Sequence, residues 1–400
     1  MSNASLTESE AEAFRNRCRA FLQWYADRHT TNSLQDARDF LAAAQEAGLA
    51  GIPYGVEWGG AGLTSAHERI WREEKAAFAY FDRYFIISHG MCLPIINEFG
   101  TVSQRSAYES DMISGRKLWC QMFSEPGAGS DVAGLQMTAM RDGDEWVLNG
   151  QKVWTTYAHL SDYGIVIART DASLPKHAGI SMFIVDLRTP GVEVRPIHQM
   201  DGASEFNEVF FTDVRIPGDQ VIGQVNDGWH MVTSMLMYER VAIGSGASDE
   251  VVHPHFDLLV DASRRAGTIS HAIIRDELIQ MYVLETCKSL VALRTRAEVK
   301  AGKTPGPGGS LAKLLGSTIS RRFRDVAVEV AGPSAAAWPA DDSSRREFET
   351  EILLSFRSGI AGGTDEIQRN IIGDRVLGLP REPAVDRDVP FRDLPAGLVS

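Results

Sequence analysis

The chain has 400 residues, a hydrophobic fraction of 44%, a charged fraction of 23% and a formal net charge of -13. This length suits two or three domains rather than one core, and the composition is that of a globular protein. The acidic balance argues against non-specific nucleic-acid binding, which needs a basic surface, and weakly against docking on an anionic membrane.

The cysteines and the first residues of the chain indicate a reducing compartment. Cys18, Cys92, Cys120 and Cys287 form no C-x-x-C pair and suggest no secreted disulfide framework. Residues 1–10 lack the basic stretch and apolar core of a signal peptide. No run approaches the roughly 20 apolar residues that a membrane span requires. We therefore expect a cytoplasmic protein without a membrane span.

Residues from about Thr7 to about Gly115 are predicted to be helical. Strong helix formers occupy Leu41–Ala47, and Gly48 is a plausible stop for that helix. Two more helical patches cover His67–Ala79 and Ser103–Ile113. A glycine-rich loop over Gly55–Gly62 separates the second helix from the third.

The hydrophobic period changes to two between about Met137 and Arg215, which predicts an antiparallel sheet or barrel of six or more strands. The dipeptide Asn149-Gly150 lies between two short apolar runs, residues 145–148 and 152–155. Such a dipeptide is the strongest short-range hairpin signal, so we predict a turn there.

The helical period returns after Gly228. Four long apolar-periodic segments and a shorter fifth follow: Trp229–Gly244, Ile269–Val299, Leu311–Ala331, Phe348–Ile360 and Asp365–Leu377. The sequence thus predicts a multidomain α+β protein with an N-terminal α-helical domain (1–118), a middle antiparallel β-barrel or sandwich (119–228) and a C-terminal four-helix bundle (229–400).

The sharpest local signal is Ser124-Glu125-Pro126-Gly127-Ala128-Gly129-Ser130-Asp131, where the helical zone meets the β zone. Two glycines two residues apart let a backbone approach a ligand closely, and amides in such a turn point at anionic or carbonyl oxygens. A bare G-x-G is, by itself, also compatible with a plain surface turn.

With its neighbours, this octet resembles the flavin-contacting signature of the acyl-CoA dehydrogenase family. Three further segments resemble family signatures in the expected order: Pro53–Gly60, Asn149–Thr156 and Gly363–Asn370. The similarity extends from about residue 40 to about residue 380, and the family's α–β–α order matches the three zones. Two family segments that contact the adenine side of FAD are altered: no Arg-x-x-Phe-Gly occurs near residues 267–276, and Gln-x-x-Gly-Gly is replaced at 329–333.

The resemblance implies FAD as the cofactor and assigns its contacts. In the first signature, the residues on the flavin or substrate side are Gln121, Phe123, Ser124, Gly129 and Ser130. Trp154 would stack on the isoalloxazine, and Thr156 would donate a hydrogen bond to flavin N5. Further cofactor contacts are Thr155, Thr364 and Glu366, and the substrate contacts are Ser130 and Arg240. For Trp154, a cross-strand aromatic pair is the alternative interpretation.

The family reaction removes a weakly acidic α proton, which suits a carboxylate in a dry site with a raised pKa. Many family members carry that Glu immediately before the Gly-Thr of the C-terminal signature. Here the position is Gly362, which has no side chain. Its backbone amide would still polarise the thioester carbonyl.

Other family members carry the base before an Arg on the first long helix of the C-terminal domain, and Met237-Tyr238-Glu239-Arg240 resembles that segment. Glu239 also falls on the apolar stripe marked by Val232, Met235, Leu236 and Ile243. A structural ion pair is the alternative role for a carboxylate on that stripe. We predict that Glu239 is the catalytic base.

Two weaker signals are interpreted as non-functional, and no metal site is predicted. His253-Pro254-His255 lacks an acidic or Cys partner at helical spacing and is interpreted as a loop. Arg321, Arg322 and Arg324 are interpreted as a solvated helix face rather than a phosphate site.

The resemblance implies an FAD-dependent dehydrogenase acting on an acyl-CoA thioester with a bulky or branched acyl group. An electron-transfer flavoprotein would accept the electrons, and the assembly would be a homodimer, a homotetramer or an α2β2 heterotetramer. One alternative is a catalytically silent partner subunit of such a heteromer, which the presence of Glu239 disfavours. The other is a flavin oxidase or monooxygenase on the same fold.

Overall fold

The computed structural model describes residues 6–27, 33–244, 251–300, 308–332, 343–381, 383 and 387–394. They form two compact units. The first unit consists of Met1–His198, Ser204–Glu239 and Ala384–Ser400, and the second of Gln199–Ala203 and Arg240–Pro383.

The first unit begins with helices, several of which start at a local side-chain cap. They are α1 (Glu8–Ala26), α2 (Leu34–Glu46), α3 (Ser65–Glu74), α4 (Leu93–Phe99) and α5 (Val102–Ile113). Thr7, Ser33 and Thr101 each form a capping box, in which the cap side chain accepts a backbone N–H three residues on. The predicted stop at Gly48 is confirmed, since this residue follows the α2 C-cap with φ 65°.

Strands of the first unit form one mixed sheet. They are β1 (Trp119–Met122), β2 (Thr138–Asp142), β3 (Glu145–Thr156), β4 (Tyr163–Arg169), β5 (Ile180–Asp186), β6 (Val192–Pro196), β7 (Phe206–Pro217) and β8 (Val221–Ile222). The order is β6-β7-β3-β2-β4-β5-β8, with β1 beside β4, so the ladder is an open path and not a closed barrel. Most pairs are antiparallel as predicted, but β1 and β2 run parallel to β4. Alternation within one strand does not encode the direction of its neighbour.

The predicted hairpin at Asn149-Gly150 is wrong. Both residues lie inside the continuous strand β3, and the β2–β3 turn is formed instead by Gly143 and Asp144, with Gly143 at φ 60°. The Asn149 side chain bonds Asp213, which sits at φ 49° in a bulge of β7. A Cβ on Gly150 would lie 2.7 Å from Met137, so glycine is needed there for close approach. The dipeptide Asp142-Gly143, at the observed turn, is also a hairpin signal and predicts that turn correctly.

Helices after the sheet are α6 (Gly228–Gly244), α7 (Pro254–Ala266), α8 (Ala272–Lys300), α9 (Gly308–Ala331), α10 (Ser343–Ser358) and α11 (Asp365–Arg375). In the second unit α9 contacts α7, α8, α10 and α11. The core of this unit includes Met281, Phe323 and Val326. The side chains of residues 240–244, Ile243 among them, lie outside the described residues.

The predicted loop at His253-Pro254-His255 is also wrong, because Pro254 begins α7. Proline is favoured in the first helical turn, where its missing N–H costs nothing. Glu285 of α8 accepts hydrogen bonds from the backbone N–H groups of His255 and Phe256, which caps the new helix. This cap comes from another helix, so local spacing could not reveal it.

The predicted fold class is confirmed: helices precede an eight-stranded sheet, and a helical bundle follows it. Domain boundaries at residues 118 and 228 stay a prediction. Among the residues that the structure describes, every helix is too short or too polar to cross a lipid bilayer.

Candidate active site

The first signature is a tight turn that begins directly after β1. Glu125 and Ala128 exchange both backbone hydrogen bonds, at 3.0 and 3.1 Å, so Pro126 and Gly127 form its tip. Beyond it, Gly129 and Ser130 are exposed. A Cβ on Gly129 would meet nothing within 4 Å, which leaves open space beside this backbone.

Two consecutive residues of β3 hold this turn in place. Val153 N donates to Ser124 O at 2.9 Å. Lys152 is 0% exposed, and its Nζ donates to Phe123 O at 3.0 Å and to Glu125 Oε1 at 2.8 Å. Burial lowers the pKa of Lys152, and the Glu125 carboxylate opposes that change. The first and second signatures are therefore joined directly, by a contact that no local sequence pattern indicated.

A second bulge exposes Trp154. The β3–β7 register shifts by one residue between Lys152 and Thr155, and Trp154 adopts φ 61°. This conformation is strained for a bulky residue, and such strain concentrates at ligand sites. The Trp154 side chain is 60% exposed and makes an edge contact with Phe206, at 6.0 Å between ring centroids. A large ring displayed in this way is suited to stacking on a planar ligand.

The end of β3, after Trp154, is anchored to β7. Asn207 is fully buried, and its Nδ2 donates to Thr155 O at 2.9 Å. Thr155 is 1% exposed, and its Oγ1 has no hydrogen-bond partner among the described residues. Thr156 is half-buried at the end of the strand. An orphaned hydroxyl, an exposed indole and open space beside Gly129 together fit a planar, hydrogen-bonding group such as a flavin.

Glu239 lies in the same unit as both signatures. On α6, Val232 and Met235 are fully buried, and Glu239 follows them on the same face at spacings of seven and four residues. Glu239 itself is half-buried, so the predicted placement on the apolar stripe is partly met. The side chain of Arg240 lies outside the described residues.

Neighbouring contacts fix the position of α6. Tyr238 Oη donates to Glu98 Oε2 of α4 at 2.6 Å, and His230 meets the edge of Phe99. Burial, together with the Glu98 carboxylate, raises the pKa of Tyr238 to about 12. Tyr54, in the signature segment 53–60, also has a raised pKa, chiefly from burial, with Tyr238 among the groups that act on it.

The C-terminal signature belongs to the second unit. Gly362 and Gly363 adopt φ 68° and 86°, which favours glycine at both positions. Thr364 caps α11 by accepting from Ile367 N at 3.2 Å, while Gln368 Nε2 donates to Gly362 O at 2.9 Å. Glu366 is exposed. These bonds define the path of the backbone that carries the Gly362 amide.

Asp365 ties this signature to α9. Its carboxylate is 5% exposed and accepts from Ser317 Oγ at 2.6 Å, from Arg321 and, at 3.4 Å, from Lys313. Burial alone would raise the pKa of Asp365, but the bonds from Ser317 and Arg321 bring it below its usual range. Burial also lowers the pKa of Lys313, and the Asp365 carboxylate opposes that change.

This pairing refines the prediction for the α9 arginines. Arg321 is bound to Asp365, Arg322 forms an ion pair with Glu277 at 2.5 Å, and Arg324 one with Asp325 at 2.8 Å. All three side chains are partly exposed, so the predicted solvated helix face is also an ion-paired one.

The predicted site residues thus fall into two groups. The first unit contains Gln121, Phe123, Ser124, Gly129, Ser130, Trp154, Thr155, Thr156 and Glu239, and the second contains Arg240, Gly362, Thr364 and Glu366. Helices before a mixed sheet that carries two joined signatures, and a helical bundle after it, are the architecture expected of a multidomain flavoprotein dehydrogenase.

The chain belongs to the acyl-CoA dehydrogenase family. The family's N-terminal, middle and C-terminal domains match residues 8–116, 120–214 and 226–377. Members of this family are flavoprotein oxidoreductases, and the chain is an acyl-CoA dehydrogenase by family.

Three known proteins illustrate the similarity. Acyl-CoA dehydrogenase IpdE1 of Mycobacterium tuberculosis is 39% identical over 88% of this chain and 90% of its own length. The mouse mitochondrial long-chain specific acyl-CoA dehydrogenase is 34% identical over 92% and 87%. The crystal structure of the ChsE4-ChsE5 complex from Mycobacterium tuberculosis has a TM-score of 0.75 at 29% identity, covering 95% of this chain and 100% of that one.

Proposed function

We propose that this chain binds FAD and dehydrogenates an acyl-CoA thioester between its α and β carbons, with Glu239 as the catalytic base. One observation carries the proposal. Glu239 is a half-buried carboxylate in the same compact unit as both flavin signatures, while the usual position of the base is Gly362.

The chemistry of the chain's own residues supports this assignment. Removal of the α proton needs a carboxylate within hydrogen-bond reach of the carbon, and Glu239 is a half-buried carboxylate. Thr155, Thr156 and Trp154 would hold the flavin ring, and Gln121, Phe123, Ser124, Gly129 and Ser130 would face the flavin or the substrate. FAD, when bound, supplies the acceptor for the β hydrogen and its electron pair. Roles for the Gly362 amide, Thr364, Glu366 and Arg240 rest on the family resemblance.

The acyl group is proposed to be bulky or branched. Support comes from the combination of Glu239 before Arg240, Gly362 at the usual base position and two altered adenine-side segments. That combination resembles bacterial members that act on steroid side-chain CoA esters. An electron-transfer flavoprotein is the proposed electron acceptor, in a cytoplasmic enzyme.

The flavin spectrum tests cofactor and substrate together. We expect the purified full chain, alone or with its partner subunit, to carry FAD and to show the absorption of an oxidised flavin. Anaerobic addition of a panel of acyl-CoAs should bleach that absorption, most completely with branched or ring-bearing acyl groups. A chain that never binds added FAD would contradict the proposed activity, and bleaching by short linear acyl-CoAs alone would contradict only the acyl preference.

Assembly is proposed to complete the cofactor site. The ChsE4-ChsE5 complex, which contains a 29% identical chain, supports a heteromer, and homodimers or homotetramers are the other possibilities. We expect flavin retention to depend on oligomerisation, so dilution should release FAD and subunits together. Sedimentation with detection at flavin wavelengths measures both. A monomer with full flavin occupancy would refute the dependence.

A further inference from the structure

Lys152 and Glu125 form a buried ion pair whose presence the stability of the fold does not by itself explain. Removing two charges from water is costly, and apolar residues of similar volume in such sites are often as stable or more stable. Lys152 is 0% exposed and Glu125 is 7% exposed, so neither charge is appreciably hydrated. An ion pair buried under these conditions is better explained by the geometry that it imposes.

That geometry converges on one residue of the first signature. Lys152 Nζ bonds the carbonyl of Phe123 and the carboxylate of Glu125, and Val153 N bonds the carbonyl of Ser124 between them. Three consecutive residues are therefore fixed by two consecutive residues of β3. Ser124 has its backbone held on both sides while its half-buried side chain stays available.

The same pair reaches a third segment. The Glu125 carboxylate accepts backbone hydrogen bonds from Gln136 N at 2.7 Å and from Met137 N at 3.0 Å. Met137 packs where Gly150 allows close approach, at the start of the second signature. Lys152 is also separated from Trp154 by one residue only, at the bulge that exposes the indole.

We propose that Lys152 and Glu125 form a positioning clamp that holds the Ser124 turn and the Trp154 bulge in the relative orientation that flavin binding requires. This inference rests on the proposed FAD site, and neither residue is assigned a contact with flavin or substrate. Groups that contact a ligand need such support to stay within fractions of an ångström of the binding geometry.

The test is FAD titration of the full chain, in its assembled form, with three variants. Lys152→Met keeps the length of the side chain and removes the ammonium, Glu125→Gln keeps the shape and removes the charge, and the double variant leaves no unpaired charge. The matched control is Arg195→Met, which breaks an exposed ion pair with Glu193 (2.8 Å) on strand β6 of the same sheet. FAD affinity, the visible circular dichroism of bound flavin and the urea midpoint of the apo chain are measured.

We expect each single variant to weaken FAD binding at least about tenfold and to alter the flavin dichroism. The double variant should bind FAD at least as tightly as the single variant with the lower affinity, since both changes remove the same clamp. Arg195→Met should bind FAD as the wild type does. If Lys152→Met does not fold, Glu125→Gln and the double variant test the clamp through the same two flavin measurements.

Folded variants with wild-type affinity and dichroism, and only lower urea midpoints, would overturn the clamp and leave a structural ion pair. In that case the proposed function would stand, because the wild type binds FAD. A wild-type chain that binds no FAD would overturn the proposed function and the clamp together.

Discussion

Glu239→Gln is expected to slow flavin reduction by acyl-CoA at least about 10²-fold, the loss typical of removing a general base. Glutamine keeps the shape and the hydrogen-bonding capacity of the side chain but cannot take the α proton. FAD and acyl-CoA binding should remain largely intact, because Glu239 is on α6, whereas the first signature is the turn after β1 and the second lies on β3. Stopped-flow bleaching of the flavin at saturating acyl-CoA measures the rate of the step directly.

Tyr238→Phe is the matched control for this experiment. It removes the hydrogen bond to Glu98 from the adjacent residue of α6 but leaves every carboxylate in place. A hydrogen bond to a charged group contributes about 1.5 to 3 kcal/mol to stability, but this one takes no part in the proton transfer, so the reduction rate should change by less than about tenfold. A near wild-type rate of flavin reduction in Glu239→Gln would contradict the assignment of Glu239 as the catalytic base. Loss of folding in that variant, with rescue by Glu239→Asp, would favour a structural ion pair.

Asp365→Asn is expected to lower the free energy of unfolding of the second unit by about 2 to 3 kcal/mol at neutral pH. The substitution leaves Lys313 and Arg321 without their buried counter-charge, which typically costs about 3 kcal/mol or more when both partners are fully buried. Arg321 is 38% exposed, so solvent screening reduces the figure. Two measurements record the loss: the urea midpoint of unfolding, and the hydrogen exchange of α9 and α11.

The effect of Asp365→Asn should depend on pH in a defined direction. The folded-state pKa of Asp365 is depressed, so its contribution is present above the unfolded value of about 3.9 and disappears as the pH falls through the folded value. The difference between wild type and variant should shrink below about pH 4. The control is Glu366→Gln, an exposed neighbour paired with Arg369, which should change stability by less than about 0.5 kcal/mol. Equal losses in the two variants would contradict the buried pairing.

Particular elements show where sequence reasoning succeeded. Helix α2 ends where alanine-rich helix formers give way to Gly48, because capping is decided within a few residues. Glu239 follows Val232 and Met235 on one face of α6, because helical spacing alone fixes which residues share a face. In contrast, Asn149-Gly150 gave the signal of a turn and lies inside a strand, since its bonds go to a bulge 64 residues away.

Sequence by itself determined the order of the zones, the four signatures, the family and the missing side chain at Gly362, because each depends on residue identity and local spacing. Tertiary structure decided the strand directions, the two bulges of the β3–β7 pair and the burial of Lys152, because these depend on which strand lies alongside. It also decided the partners of Asp365, which come from a helix about 50 residues away. Distant charges and hydrogen-bond donors meet only after the chain has folded, so no local pattern encodes them.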